Sequence, residues 1–223
     1  MSPAPRTTRR RQALAVPFQN NAATEVCADK WRTALALRSA GVPTPRTTLA
    51  TTAESARAAI YAFGYPVVVK PVSSSWGRRV ACLSDERAAE AVLDYSSALP
   101  SPQARVLCVQ ELIDKPGRDI RVLVVGGRAV GAMYRRSDGW RTNVALGAQV
   151  STCPLDAELT KLAVDAAAAT GAEIAGIDVL EGAGGERYVL EVNARVEFAG
   201  LAGACDVDVA GVIAEHLVAR AKA

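Results

Sequence analysis

Histidine is almost missing from this sequence: His216 is the only one in 223 residues. A Ser-His-Asp triad and a histidine-ligated metal centre are thereby excluded as the basis of its chemistry. Cysteine is sparse and scattered. Cys27, Cys82, Cys108, Cys153 and Cys205 show no CxxC spacing, so neither a zinc site nor a disulfide framework is indicated, and a reduced cytoplasm fits best. Aromatic residues make up only 5%, too few for a base-stacking platform, and the net charge of +3 owes much to Arg6, Arg9, Arg10 and Arg11. Nucleic acid is therefore not expected as a partner. The run Arg9-Arg10-Arg11 is like a twin-arginine export signal, but residues 12–18 are too short for its apolar core and are broken by Pro17. No apolar stretch is long enough to span a membrane. The patterns GxxxxGK[ST] and GxGxxG are both absent, which argues against Walker and Rossmann chemistry.

What remains is a chain that is 50% hydrophobic and 22% charged, a balance expected of a globular protein. Residues 1–20, rich in Pro, Arg and Thr, read as a disordered basic leader. A helix is expected over 24–40 with Thr24 as its cap, then a helix over 52–63 capped by Thr51 or Thr52. A strand over 67–71, a Ser- and Gly-rich loop, a strand over 79–83 and a helix over 85–97 complete a first α+β lobe, 21–105, closed by the linker Leu99-Pro100-Ser101-Pro102. The second lobe, 106–223, is expected to hold strands over 106–111, 119–125 and 129–134, a helix over 156–170, a hairpin and a final helix over 208–221. The fold class is α+β.

The hairpin carries the sharpest chemical signal. Expected strands over 177–180 and 188–193 flank the turn Glu181-Gly182-Ala183-Gly184-Gly185. Side chains two apart on a strand share a face, so Glu191 and Asn193 point the same way and Asp178 meets them across the pair. Three oxygen donors of this kind suit a hard cation beside phosphate; a half-buried hairpin with a wet polar face is the alternative. Lys70 follows three valines and faces the loop Ser73-Ser74-Ser75-Trp76-Gly77. Its ammonium either meets a nucleotide phosphate or snorkels from a strand edge. Gln110-Glu111-Leu112-Ile113 ends a strand before a hinge, Asp114-Lys115-Pro116-Gly117, whose backbone amides and apolar side chains can take an adenine ring. Asp119 and Arg121 share a strand face and offer a carboxylate to ribose and a cation to substrate, unless they are exposed sheet charges. Arg141, in Trp140-Arg141-Thr142-Asn143, is a candidate to stabilise a transferring phosphoryl group.

The series formed by Asp29-Lys30, Tyr65-Pro66-Val67-Val68-Val69-Lys70-Pro71, Ser75-Trp76-Gly77-Arg78, Gln110-Glu111, Lys115-Pro116-Gly117-Arg118-Asp119-Ile120-Arg121, Thr142-Asn143, Gly176-Ile177-Asp178 and Glu191-Val192-Asn193 resembles the ATP-grasp carboxylate–amine ligases. Within them it is most similar to the LysX branch of lysine-biosynthesis carrier-protein ligases and to the RimK-like glutamate ligases. The resemblance implies an ATP-grasp fold, two α+β lobes with ATP between antiparallel sheets. It implies an acylphosphate made from ATP and a carboxylate, then an amine attack that gives an amide, ADP and phosphate. By the same resemblance Lys30 and Lys70 hold phosphates, Ser73 to Gly77 cover them, Glu111 to Ile113 form the adenine hinge, and Asp119 meets ribose. Asp178, Glu191 and Asn193 carry Mg²⁺ or Mn²⁺, and Arg121 and Arg141 are the catalytic candidates. Implied partners are an amino-acid substrate and an acidic carrier protein or peptide bearing the glutamyl carboxylate.

Two departures qualify the implication. Where the relatives have arginine in Asn-Thr-Ala-Arg-Gly-Gly, this sequence has Leu146, and Arg141 is the candidate to compensate. Arg195, after the metal strand, either takes a substrate carboxylate or is a surface residue. The family also carries an N-terminal α/β domain ahead of the helix bearing Lys30, which is absent from these residues. A minimal ligase, a ligase completed by a second copy or another subunit, and a start placed too late are the expectations this leaves. A catalytically impaired ATP-binding subunit or scaffold is the alternative function.

Overall fold

Strand alternation decides which side of each sheet meets a helix. In the computed structural model, which describes residues 21–74, 77–137, 139, 140, 142 and 147–222, two antiparallel sheets each bury one face under helices. The leader 1–20 and Ser75, Trp76, Arg141, Asn143 and Leu146 lie outside the described residues.

The first sheet has the order β1 (Thr47–Ala50), β4 (Leu107–Glu111), β2 (Val67–Pro71) and β3 (Ala81–Leu83). Val67, Val69, Leu107, Val109 and Leu83 face helices α3 (Ala53–Phe63) and α4 (Glu86–Ser97), whose Ala56, Ile60, Ala89 and Leu93 complete a buried core. Period two therefore turns Lys70, Cys108 and Gln110 to the opposite face. Thr52 caps α3 by accepting from the Ser55 amide, and Asp85 caps α4 by accepting from the Ala88 amide.

The second sheet has the order β7 (Gln149–Cys153), β6 (Arg128–Arg136), β5 (Arg118–Val125), β8 (Ile174–Glu181) and β9 (Arg187–Asn193). One face, with Ile120, Val122, Val124, Ile177, Val179, Val189 and Val192, packs on α6 (Ala157–Thr170) and on residues of α1 (Asn21–Ala28) and α2 (Lys30–Ser39). The other face is divided along its length. At one end Leu123, Val125, Met133 and Ile174 lie under α7 (Ala199–Ala204) and α8 (Val209–Lys222). At the other end the same face carries Asp119, Arg121, Arg135, Asp178, Glu191 and Asn193. A register shift in β9 inserts Leu190 between the partners of Asp178 and Val179. That extra residue lets Val189 and Val192, three apart, both face the core while Glu191 and Asn193 stay on the polar face.

Several expectations need correction. The helix expected over 24–40 is two helices, because Asp29 breaks the run and caps α2 by accepting from the Arg32 amide at 2.9 Å; Thr24 lies inside α1. The lobe boundary at 105/106 is displaced, since β4 pairs with β1 and β2 and belongs to the first sheet. The leading helices, placed in the first lobe by sequence, pack instead with the second core through Ala23, Cys27 and Leu37. The first sheet and its helices are thus an insertion into the second unit. The edge strands β1 and β7, one in each sheet, are elements the sequence does not announce.

Candidate functional site

Two sets of charged side chains meet between the sheets. From the first sheet comes Lys70, only 6% exposed, with Nζ donating to Gln110 Oε1 at 2.8 Å. Gln110 Nε2 donates to Thr47 Oγ1 at 2.8 Å, and that hydroxyl donates to the Pro45 carbonyl at 2.9 Å. This buried chain joins β2, β4 and β1 and aims the lysine. Burial pushes the Lys70 ammonium down to about 8; nearby Glu191 works against that and nearby Lys30 works with it. Snorkelling is ruled out, because the head group itself is buried.

Lys30 opens α2. Its backbone amide donates to the Val72 carbonyl at 2.9 Å, which fastens the helix start to the loop after β2. Its Nζ donates to the Ser74 carbonyl at 2.8 Å and lies 3.1 Å from Glu191 Oε1, so one side chain ties that loop to the second sheet. Ser74 Oγ is buried there without a hydrogen-bond partner. Ser73 and Gly77 flank it on the same loop, while Ser75 and Trp76 are outside the described residues.

On the second sheet, Asp178 pairs in register with Glu191 across the β8–β9 hairpin and with Arg121 across β5. Arg121 Nε lies 2.7 Å and Arg135 Nη2 2.9 Å from Asp178 Oδ1. Both are charge contacts, not aligned hydrogen bonds, and the buried oxygen has no hydrogen-bond partner. Asn193 Nδ2 faces Asp178 Oδ2 at 3.4 Å, so its amide must turn over to present oxygen to a cation. Among the described residues no three His, Cys, Asp or Glu side chains cluster as a metal site. The candidate set is two carboxylates and one amide, all hard oxygen donors of the type Mg²⁺ takes, and because Asp178 Oδ1 is held by charge contacts and not by hydrogen bonds, a cation there competes with the two arginines. Gly176, on the same strand, leaves room for the Arg121 guanidinium that lies across it; a Cβ there would push that side chain aside.

Asp119 is not the open carboxylate expected to meet ribose. It is 4% exposed, with Arg135 Nε and Nη2 donating to its two oxygens at 2.6 and 2.9 Å. The Thr142 hydroxyl also donates to it, and Lys115 Nζ donates to Thr142 at 2.8 Å. A ribose hydroxyl would have to displace one of these. Burial pushes the Lys115 ammonium down, with Asp119 opposing the shift. Nor are Asp119 and Arg121 exposed sheet charges. The adenine hinge also needs amendment at Glu111, whose amide donates to the Arg46 carbonyl at 3.0 Å and whose Oε1 accepts from the Arg46 amide at 2.6 Å. Leu112 and Ile113 follow in half-buried, irregular chain.

Arg135, Lys115 and Thr142 were missed as members of this network. Counting back from the Gly126-Gly127 turn puts Tyr134 opposite Asp119; a register shift between Leu123 and Val124 puts Arg135 there instead. Lys115 had a signal, since a lysine beside a Pro-Gly turn before a charged strand is poised to fold back. Two cavities lie elsewhere. One of about 350 Å³ is walled by Val164, Ala167 and Ala172 with His216 and Arg220 at its rim; one of about 250 Å³ lies beside Thr52, Ser96 and Arg105. Neither contains a member of the charged network. Arg195 is exposed, all five cysteines are free, and no helix among the described residues is long and apolar enough to cross a membrane.

Residues 27–217 match the RimK-like ATP-grasp domain family. The chain is 34% identical over 189 residues to the alpha-aminoadipate–LysW ligase LysX of Saccharolobus solfataricus, covering 84% of this chain and 69% of that protein. It is 32% identical over 194 residues to the glutamate–LysW ligase ArgX of Sulfurisphaera tokodaii, covering 86% of this chain and 69% of that one. The solved structure of the ATP-grasp ligase PsnB complexed with minimal precursor, Mg and ADP is similar at a TM-score of 0.70 and 26% identity, covering 92% of this chain and 62% of that chain. The chain thus spans about two thirds of the length of the proteins it matches.

Proposed function

Because the chain belongs to the RimK-like ATP-grasp family, we propose that it is an ATP-dependent carboxylate–amine ligase. The γ-phosphoryl group of ATP passes to a carboxylate oxygen with release of ADP. An amine then attacks the acylphosphate carbon, and phosphate leaves as the amide forms. The observation that carries this reading is the meeting of Lys30 and Lys70 with the Asp178, Glu191 and Asn193 hairpin, closed by the 3.1 Å contact between Lys30 and Glu191.

Lys30 and Lys70 take phosphate oxygens. A buried ammonium without a carboxylate in contact is stabilised when an anion arrives, and Gln110 keeps it aimed. Lys30, Lys70, Lys115, Arg121 and Arg135 face Asp119, Asp178 and Glu191, so the cleft holds more cations than carboxylates and favours a polyanion. The loop Ser73 to Gly77 covers the phosphates, with the unpartnered Ser74 hydroxyl as a donor. Leu112 and Ile113 flank adenine. Asp178, Glu191 and Asn193 would hold Mg²⁺ or Mn²⁺, which when bound neutralises charge on the phosphates. Arg121, released from Asp178, and Arg141 reach the transferring group. No protein base is required, since positioning and charge neutralisation carry most of this chemistry.

The carboxylate is a glutamyl group on an acidic carrier protein or peptide, and the amine is an amino acid, in a cytoplasmic setting. The names of LysX and ArgX as LysW ligases support this choice. The test is ADP release from the purified chain with ATP, Mg²⁺, an acidic carrier peptide and each amino acid in turn, followed by mass spectrometry of the peptide. A gain of one amino acid less water is expected. Nucleotide binding with no ADP release in any combination would overturn the reading in favour of an impaired scaffold.

A further inference from the structure

We propose that Arg135 is a positioning residue that aims Asp178 at the divalent cation, as the last link of a relay that begins at Lys115. This rests on the ligase reading in taking Asp178 as a cation ligand.

Arg135 lies on β6 and reaches diagonally over β5 to β8. Its side chain is 5% exposed, and its fork grips Asp119 through Nε at 2.6 Å and Nη2 at 2.9 Å. The same Nη2 lies 2.9 Å from Asp178 Oδ1. Two bonds to one carboxylate fix the plane of a guanidinium, so the edge it turns to Asp178 has one orientation. Asp119 is itself held by the Thr142 hydroxyl, and Thr142 by Lys115. The order of contact is Lys115, Thr142, Asp119, Arg135, Asp178, and it links the segment after β6 to the metal hairpin.

Arg121 touches the same oxygen but differs in its anchoring. It has 17% side-chain exposure and lies across Gly176, with no second carboxylate in its grip among the described residues. Arg121 is thus the arginine that can leave Asp178 for substrate, and Arg135 the one that stays. The two roles need different support, and the structure provides it.

A positive charge near a cation site also repels the cation, so removing Arg135 outright has two opposing effects. Arg135→Lys separates them, because charge is kept while the fork is lost. The readouts, on the full chain, are Mn²⁺ affinity in the presence of ADP by electron paramagnetic resonance, ADP affinity in EDTA by calorimetry, and folding by circular dichroism. Arg135→Lys is expected to weaken Mn²⁺ binding about 10- to 100-fold while ADP affinity in EDTA changes less than about threefold. Asp119→Asn, which touches no proposed ligand, is expected to shift Mn²⁺ affinity in the same direction by less, since one acceptor remains. Unchanged or tighter Mn²⁺ binding in a folded Arg135→Lys chain overturns the proposal, as does an equal loss in both assays. If that variant does not fold, Asp119→Asn decides, and unchanged Mn²⁺ affinity there overturns it. Failure of the ligase reading has its own signature: wild-type Mn²⁺ binding that Asp178→Ala leaves intact.

Discussion

On the first sheet a buried lysine rests against a neutral amide; on the second, buried arginines rest against carboxylates. Lys70 has Gln110 as its hydrogen-bond partner, with Glu191 acting on it through charge alone. Arg135 and Arg121 share Asp178, and Arg135 also holds Asp119. The second corner is balanced within itself and behaves as a scaffold. The first is left electrically unfinished, and in the proposed function the missing counter-charge is a phosphate of the nucleotide.

That contrast is broken most severely at Asp178. Asp178→Ala leaves Arg121 without a carboxylate and removes one of two from Arg135, with an expected loss of about 3 kcal/mol or more in a denaturant titration. Magnesium-dependent nucleotide binding is expected to vanish in the same variant. A stability loss without loss of cation dependence would show that Asp178 only neutralises the arginines.

Lys70→Met is expected to act in the opposite direction. The folded value of about 8 lies below the ordinary 10.5, so between these pH values the folded chain binds fewer protons than the unfolded one. Wild-type stability therefore rises with pH across that window and is flat and lowest below it. At 1.36 kcal/mol per pH unit, Lys70→Met removes a penalty of at most about 3 kcal/mol at pH 7. Without nucleotide its Tm should match or exceed that of wild type and lose the alkaline rise, while ATP binds about 10- to 100-fold more weakly. A lower Tm at pH 7 would show that Lys70 is already compensated.

The smallest change sharpens the comparison. Gln110→Met keeps the shape but strips the acceptor from Lys70 and the donor from Thr47, at an expected cost of about 1–2 kcal/mol in thermal unfolding. ATP affinity should fall, and by less than in Lys70→Met, because the charge stays and only its aim is lost. Equal losses in calorimetry would mean that Gln110 meets the nucleotide directly.

The elements with strong local signals were legible in the sequence. Val67–Pro71 reads as a buried strand and is one. Asp85 and Asp156 open the helices expected over 85–97 and 156–170, and each caps its helix by accepting from the amide three residues on. Alternation put Glu191 and Asn193 on one face, as found, but it takes the bulge at Leu190 to set Asp178 opposite Glu191. What stayed hidden depends on partners far along the chain. β1 is four residues with no alternating pattern, made a strand by β4. β7 exposes four of its five residues, so burial leaves no trace in its composition. Asp29 falls inside a pattern that reads as one helix. Arg135 enters the site through a bulge that no residue type announces, and the same non-local pairing put β4 on the other side of the expected boundary.

The insertion of the first sheet has a mechanical side. The chain passes between the two units twice, between α2 and β1 and between β4 and β5, and the two passages leave neighbouring strands of one sheet. Arg46 on the first passage and Glu111 at the start of the second clasp one another through both backbone and side chain. Two covalent crossings so joined act as one fulcrum. A second tie lies away from that fulcrum, where Lys30 holds the Val72 and Ser74 carbonyls at 2.9 and 2.8 Å, so the loop after Lys70 is moored to the second unit and the two units are joined at two separate places.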